Sequence, residues 1–204
     1  MEVKGRRTQA ERSAATREIL VTAARKLFAA DGFSEVSTQT IVAEAGVTRG
    51  ALYHQFADKT ELFVAVYEQV EAELVGRVAE ALGERGPSGP LEAMRMGARL
   101  FLELCAAPDV QRIVLVDAPA VLGWQRWREV GARYGLGVIE AMLAAAIADG
   151  AIPEQPVRPS AHVLLGALDE AALYVSRAED PDLARHEMYA VCDRIISGLA
   201  QAIR

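Results

Sequence analysis

Two cysteines in 204 residues, Cys105 and Cys192, stand far apart with neither a CxxC spacing nor neighbouring histidines. That scarcity argues against a disulfide framework or a Cys/His zinc site and makes buried thiols the expected role. The three histidines, His54, His162 and His186, are scattered, and the chain has no GxSxG elbow, HExxH or EF-hand spacing. The usual nucleophile and metal arrangements of an enzyme have no support, so neither a cofactor nor a metal is expected. Apolar runs are short as well. "AHVLLGAL" is far below the roughly 20 residues that a membrane span needs, and no basic and apolar leader opens the chain. A cytoplasmic protein with no membrane partner is the expectation. Strand-like alternation and repeats of fixed period are also missing.

What remains is a helix-rich composition. Half of the residues are hydrophobic and a quarter charged, with abundant Ala, Leu, Glu and Arg, so the expected class is all-α. The net charge of -6 hides an asymmetry. Residues 1–60 hold nine Lys/Arg against seven Asp/Glu, and the remainder holds thirteen against twenty-one. A mildly basic N-terminal part fits contact with a polyanion, and an acidic remainder fits other work.

About nine helices are expected. Residues 1–9 carry Lys4, Arg6 and Arg7 without apolar periodicity and read as a basic flexible arm. Ile19, Leu20, Ala23, Ala24, Leu27 and Phe28 recur at helical spacing from about Ala10 to Asp31, and Gly32 supplies a stop. Ser37 caps a short second helix through Ala45, Gly46 allows a sharp left-handed turn, and Thr48 caps a third helix to about Phe56. Asp58 followed by Glu61 opens a fourth helix running to about Leu82. After the Gly/Pro-rich break "GERGPSGP", helices are expected at about 91–106, 109–118, 123–149, 160–179 and 182–203.

Two short helices joined by a glycine turn and packed on a longer first helix match the helix-turn-helix, whose second helix enters a DNA major groove. The exposed residue types suit that task. Gly50 allows close approach to a duplex, while Thr48, His54 and Lys59 offer donors to phosphates. Arg49 matches guanine O6 and N7, Gln39 matches adenine or a phosphate, and Tyr53 matches a backbone oxygen or a thymine methyl. Lys59 also sits where the helix macrodipole disfavours a cation, which a phosphate would relieve.

Residues 10–67 resemble the DNA-binding domain of TetR-family transcriptional regulators, through "ILVTAARKLFAADGF" followed by "TIVAEAGVTRGALYHQFADKTELF". The resemblance implies that Thr38, Gln39, Thr48, Arg49, Gly50, Tyr53, His54 and Lys59 face double-stranded operator DNA. Gln55 departs from the histidine usual in the family, and Val42 from a frequent alanine. The implied organisation is a helix-turn-helix domain at 10–57 and a helical effector-binding and dimerisation domain at 58–204. The protein would then be a ligand-responsive regulator, most simply a repressor, and not an enzyme; the alternative is a helical dimeric small-molecule-binding protein or enzyme without DNA binding.

A single small reading head needs a second copy to occupy a palindromic operator. The resemblance implies a homodimer through the last two helices, for which Val163, Leu164, Leu168, Ala171, Leu173, Met188, Val191, Ile195, Ile196, Leu199 and Ile203 offer apolar surface. It also implies a central cavity for a small apolar or aromatic effector. Phe101, Leu115, Trp124, Trp127, Tyr134, Met142 and Leu165 are candidates for its wall, with simple core packing as the alternative. Asp117 lies within an apolar run, where an unpaired carboxylate is costly. It either pairs with Arg126, Arg128 or Arg133 or orients a ligand, and Asp169 and Glu170 raise the same question.

Overall fold

The computed structural model describes residues 8–201, and among these no strand occurs. The basic-arm expectation for residues 1–9 falls mostly outside that range, as does Ile203. Nine α-helical segments follow one another: α1 (Gln9–Asp31), α2 (Thr38–Ala45), α3 (Arg49–Gln55), α4 (Lys59–Arg85), α5 (Pro90–Cys105), α6 (Pro108–Val110), α7 (Ala118–Ala148), α8 (Val157–Arg177) and α9 (Pro181–Gly198). Between α6 and α7 the chain stays helical in a π-helical stretch, Gln111–Asp117.

Local chemistry sets the helix ends. The Thr8 hydroxyl accepts from the Glu11 amide while Glu11 accepts from the Thr8 amide, a closed capping box for α1. Ser37 accepts from the Thr40 amide at 3.0 Å, Thr48 from the Ala51 amide at 3.2 Å and Asp58 from the Glu61 amide at 2.9 Å. Each cap satisfies an amide that has no partner within its helix. Between α2 and α3, Gly46 adopts φ 64° and ψ 30°, the left-handed conformation that costs a side-chain-bearing residue most.

Packing divides the chain inside α4, between Gln69 and Val70. The first unit therefore extends beyond the expected boundary at residue 57. The reason is apolar burial: Leu62, Phe63 and Val66 are wholly inaccessible to solvent, and the Phe63 ring lies 5.4 Å from Phe28 and 5.1 Å from Phe33. Leu20, Ala24, Ile41 and Leu52 complete that core, in which α1 packs on α2 and α3.

The second unit is a helical bundle in which α5 packs on α9 and α7, and α8 packs on α7 and α9. Arg95 on α5 makes a two-pronged bond to Asp193 on α9, at 2.8 and 2.6 Å, a geometry that fixes orientation as well as distance. Cys105 and Cys192 are both free and buried.

Between α6 and α7 the structure departs from expectation. The helical path does not stop at Pro119 but continues through it and breaks at Gly123, with φ 76° and ψ 160°. Proline is tolerated in the first turn of a helix, where its missing N–H has no role. By length and composition the run Pro108–Ala148 would suffice to cross a membrane, contrary to the reading of short apolar runs. It is interrupted at Gly123 and carries Arg126, Arg128, Glu129 and Arg133, and α7 packs against α5 and α8 as a bundle helix.

Candidate nucleic-acid interface and cavity

In the first unit the exposed edge of α3 gathers several expected residues. Arg49, Gly50, Tyr53 and His54 are exposed, as is Gln39 on α2, while Thr38 is half-buried. Tyr53 is 44% exposed although it is large and apolar over most of its surface. The neighbouring Arg49 and Thr38 side chains, Arg49 foremost, favour the ionised phenol and hold its pKa below the ordinary value. The Arg49 guanidinium lies 5.5 Å from the Tyr53 ring centroid. Thr38, Arg49 and Tyr53 thus form one polar cluster spanning α2 and α3.

Gly50 is informative for what it does not touch. A Cβ built there would meet nothing closer than the Thr48 hydroxyl at 3.9 Å. Glycine within a helix costs roughly 0.5–1 kcal/mol relative to alanine, and no neighbour inside the protein requires it.

Two residues are occupied internally. The Lys59 ammonium donates to the carbonyls of Phe33 at 2.8 Å and Val36 at 3.0 Å, fastening the α1–α2 connection to the start of α4. Of its three N–H groups one remains. The Gln55 amide donates to the Ser13 hydroxyl at 2.8 Å, tying α3 to α1. The departure from histidine at 55 therefore has a structural use, as a neutral donor in a part-buried contact.

In the second unit a cavity of about 110 Å³ opens between α4, α5, α7, α8 and α9. Of the expected wall residues, Phe101, Met142, Leu165 and Asp169 line it. Leu115, Asp117, Trp124, Trp127 and Tyr134 do not. Trp127 lies on the right helical stripe, but its indole N–H donates to the Val114 carbonyl at 3.0 Å, so the ring packs under the π-helical stretch with 3% of its surface exposed. Trp124 directly follows the break at Gly123 and is 60% exposed. Tyr134 falls one position off the stripe of Gly131, Gly135, Val138 and Met142 that faces the cavity. Leu115 is buried within the π-helical stretch. Asp117 pairs with Arg112 at 3.5 Å, a partner that the sequence reading did not name.

Asp169 accepts a bond from Arg128 of α7 at 2.5 Å. Burial nevertheless pushes its carboxyl up to about 6, with Arg128 acting in the opposite direction. Sequence reasoning missed Glu71, a buried acid in the cavity wall on α4. The signal was present, since Glu71 shares the helical stripe of Tyr67, Leu74 and Val78. Among the described residues no three His, Cys, Asp or Glu side chains group as a metal set.

The last two helices use much of their apolar surface inside the chain. Leu164, Ala171, Leu173 and Ile196 are buried, whereas Val163, Tyr174, Leu183 and Ile195 stay exposed, Val163 at 70%.

The molecule is thus a helix-turn-helix protein whose second unit is a helical bundle holding an apolar cavity with two acids in its wall. Two family models cover most of that chain: residues 20–66 match bacterial regulatory proteins of the tetR family, and residues 91–199 match a tetracyclin repressor-like C-terminal domain. The chain belongs to the TetR family. It is 33% identical to a TetR-family transcriptional regulator from Pectobacterium atrosepticum of known structure, covering 97% of this chain and 100% of that one with a TM-score of 0.83. The transcriptional repressor BepR of Brucella suis biovar 1 is 33% identical over 109 residues, 53% of this chain and 51% of that protein. The chain spans about half the length of the curated relatives it matches in this way. The fold is also that of RolR solved in complex with resorcinol, at 18% identity over 96% of this chain and 97% of that one, TM-score 0.71.

Proposed function

We propose that the protein is a cytoplasmic, non-enzymatic transcriptional repressor. Its homodimer binds a palindromic operator through α3 and releases it when a small apolar or aromatic molecule enters the cavity of the second unit. The observation that carries the DNA reading is the Thr38–Arg49–Tyr53 cluster, with Arg49 and Tyr53 exposed, beside Gly50, a helical glycine for which the protein has no internal need. Thr38, Gln39, Thr48, Arg49, Gly50, Tyr53 and His54 are the contact residues, with Arg49 and Tyr53 reading bases and the others setting the docking angle on phosphates. Lys59 acts mainly by positioning, with one N–H left for a phosphate.

Dimerisation through α8 and α9 is supported by Val163, Tyr174, Leu183 and Ile195, large apolar groups left exposed on those two helices. The named repressor relative supports repression, and the neighbour holding resorcinol supports a compact aromatic effector. The helix α4 carries Lys59 in one unit and cavity residues from Glu71 to Val78 in the other, which makes it the candidate lever. An effector acts only through a difference in its affinity for two arrangements of the dimer.

The deciding experiment is protection of an inverted repeat in the DNA upstream of the protein's own gene, repeated with Arg49→Ala plus Tyr53→Ala. Salt-dependent, sequence-specific binding lost in the double variant with the dimer intact by sedimentation is the expected result. Unchanged specific affinity rejects the assignment of reading residues. An effector shown to bind separately that fails to release DNA rejects the induction mechanism.

A further inference from the structure

The charged groups in the cavity wall all have one sign. Glu71 from α4 and Asp169 from α8 line it, and no Lys, Arg or His does. The remaining wall is overwhelmingly hydrocarbon, including Met94, Phe101 and Leu165, with the Cys192 thiol beside it. Arg128 reaches Asp169 from outside the lining, through Oδ2, with its guanidinium 6.0 Å from the Trp124 ring centroid. A carboxylate accepts more than one hydrogen bond, so Asp169 keeps acceptor capacity through Oδ1.

We infer that this cavity selects a protonated amine carried on a compact apolar body, with Asp169 and Glu71 as the groups that recognise the ammonium. Three physical arguments converge. In apolar surroundings charges are weakly screened, so an anionic ligand would meet two acids with no cation in the wall to hold it. A neutral hydrocarbon would satisfy the carbon surface and give Asp169 Oδ1 no donor. An ammonium offers three donors and one positive charge, and the size of the cavity, about 110 Å³, restricts its body to roughly one ring. The elevated Asp169 carboxyl fits, because Arg128 alone does not offset its burial. The inference rests on the reading above only in taking this cavity as the effector site.

The test is calorimetric titration of the full chain at pH 7.5 with three ligands of one ring each: benzylamine, benzyl alcohol and benzoate. Benzylamine should bind at least about ten-fold more tightly than benzyl alcohol, and benzoate should not bind. Asp169→Asn should bring the amine to within about three-fold of the alcohol. Should that variant fail to fold by circular dichroism, Glu71→Gln supplies the same comparison. Equal binding of amine and alcohol, binding of benzoate, or binding of none of the three overturns the inference. Tight amine binding that leaves operator DNA bound upholds this selectivity and counts against the induction mechanism instead.

Discussion

The ammonium of Lys59 lies 2.8 Å from the carbonyl of Phe33 and 4.1 Å from the centroid of the same residue's ring. One side chain thus holds the α1–α2 connection by a charged hydrogen bond and a cation–π contact, and reaches the Val36 carbonyl as well. Charge-assisted bonds of this kind contribute about 1.5–3 kcal/mol each when partly buried. Lys59→Met removes both bonds and should therefore destabilise the first unit by about 3 kcal/mol or more, read by urea unfolding, with faster amide exchange at residues 33–37. If the lysine served DNA alone, stability and exchange would be unchanged and only the salt slope of binding would fall.

Gly50 separates stability from function in the opposite sense. Since a Cβ there meets only the Thr48 hydroxyl at 3.9 Å, Gly50→Ala should stabilise the protein by about 0.5–1 kcal/mol through helix propensity. Operator affinity should fall at the same time, because the new methyl group stands where the duplex approaches. Thermal unfolding and fluorescence anisotropy on one preparation check both halves. A variant that gains stability and keeps full affinity would remove close approach from the account of the interface.

The reading head was legible because its signals are local. Ser37, Thr48 and Asp58 cap the helices they were expected to cap, and Gly46 makes the turn. Tertiary partners are a different matter. Nothing in the spacing shows that Lys59 would turn to the carbonyls of Phe33 and Val36, or Gln55 to Ser13, since each contact joins distant parts of the chain. The cavity was half legible for the same reason. Periodicity marks which stripe of α7 is apolar, but the Trp127 indole is drawn aside by the Val114 carbonyl and Asp117 by Arg112, and both depend on a π-helical register that no sequence pattern announces.

Beyond that stretch, α7 is broken at Gly123, whose φ of 76° and ψ of 160° lie in a region open almost only to glycine. A Cβ added at this position would meet no heavy atom within 4 Å beyond its chain neighbours, so any penalty for substitution comes from the backbone. Gly123→Ala and Gly123→Ser should each cost about 1–3 kcal/mol and be nearly equal. Urea unfolding followed by tryptophan fluorescence is suited to this, since Trp124 adjoins the break. Wild-type stability in either variant would show that the helix path can continue straight through residue 123.

Asp169 makes a prediction about pH in which the sign matters. Its folded-state value of about 6 exceeds the ordinary 3.8, so the folded protein binds this proton more tightly than the unfolded chain does. The stability it contributes is therefore present at low pH and is lost as pH rises through the window from about 4 to about 6. Asp193 works the other way, because Arg95 holds its carboxyl below the ordinary value and its contribution is lost as pH falls. It is common to wild type and variant and cancels in their difference. Asp169→Asn removes the titration but also leaves Arg128 without its partner, so its stability at any single pH mixes two effects. The change with pH isolates one of them. Relative to wild type, Asp169→Asn should become more stable by roughly 2–3 kcal/mol on going from pH 4 to pH 7. Parallel stability profiles for the two proteins, from urea unfolding across that range, would mean that Arg128 already holds Asp169 ionised throughout and that its burial has no electrostatic consequence.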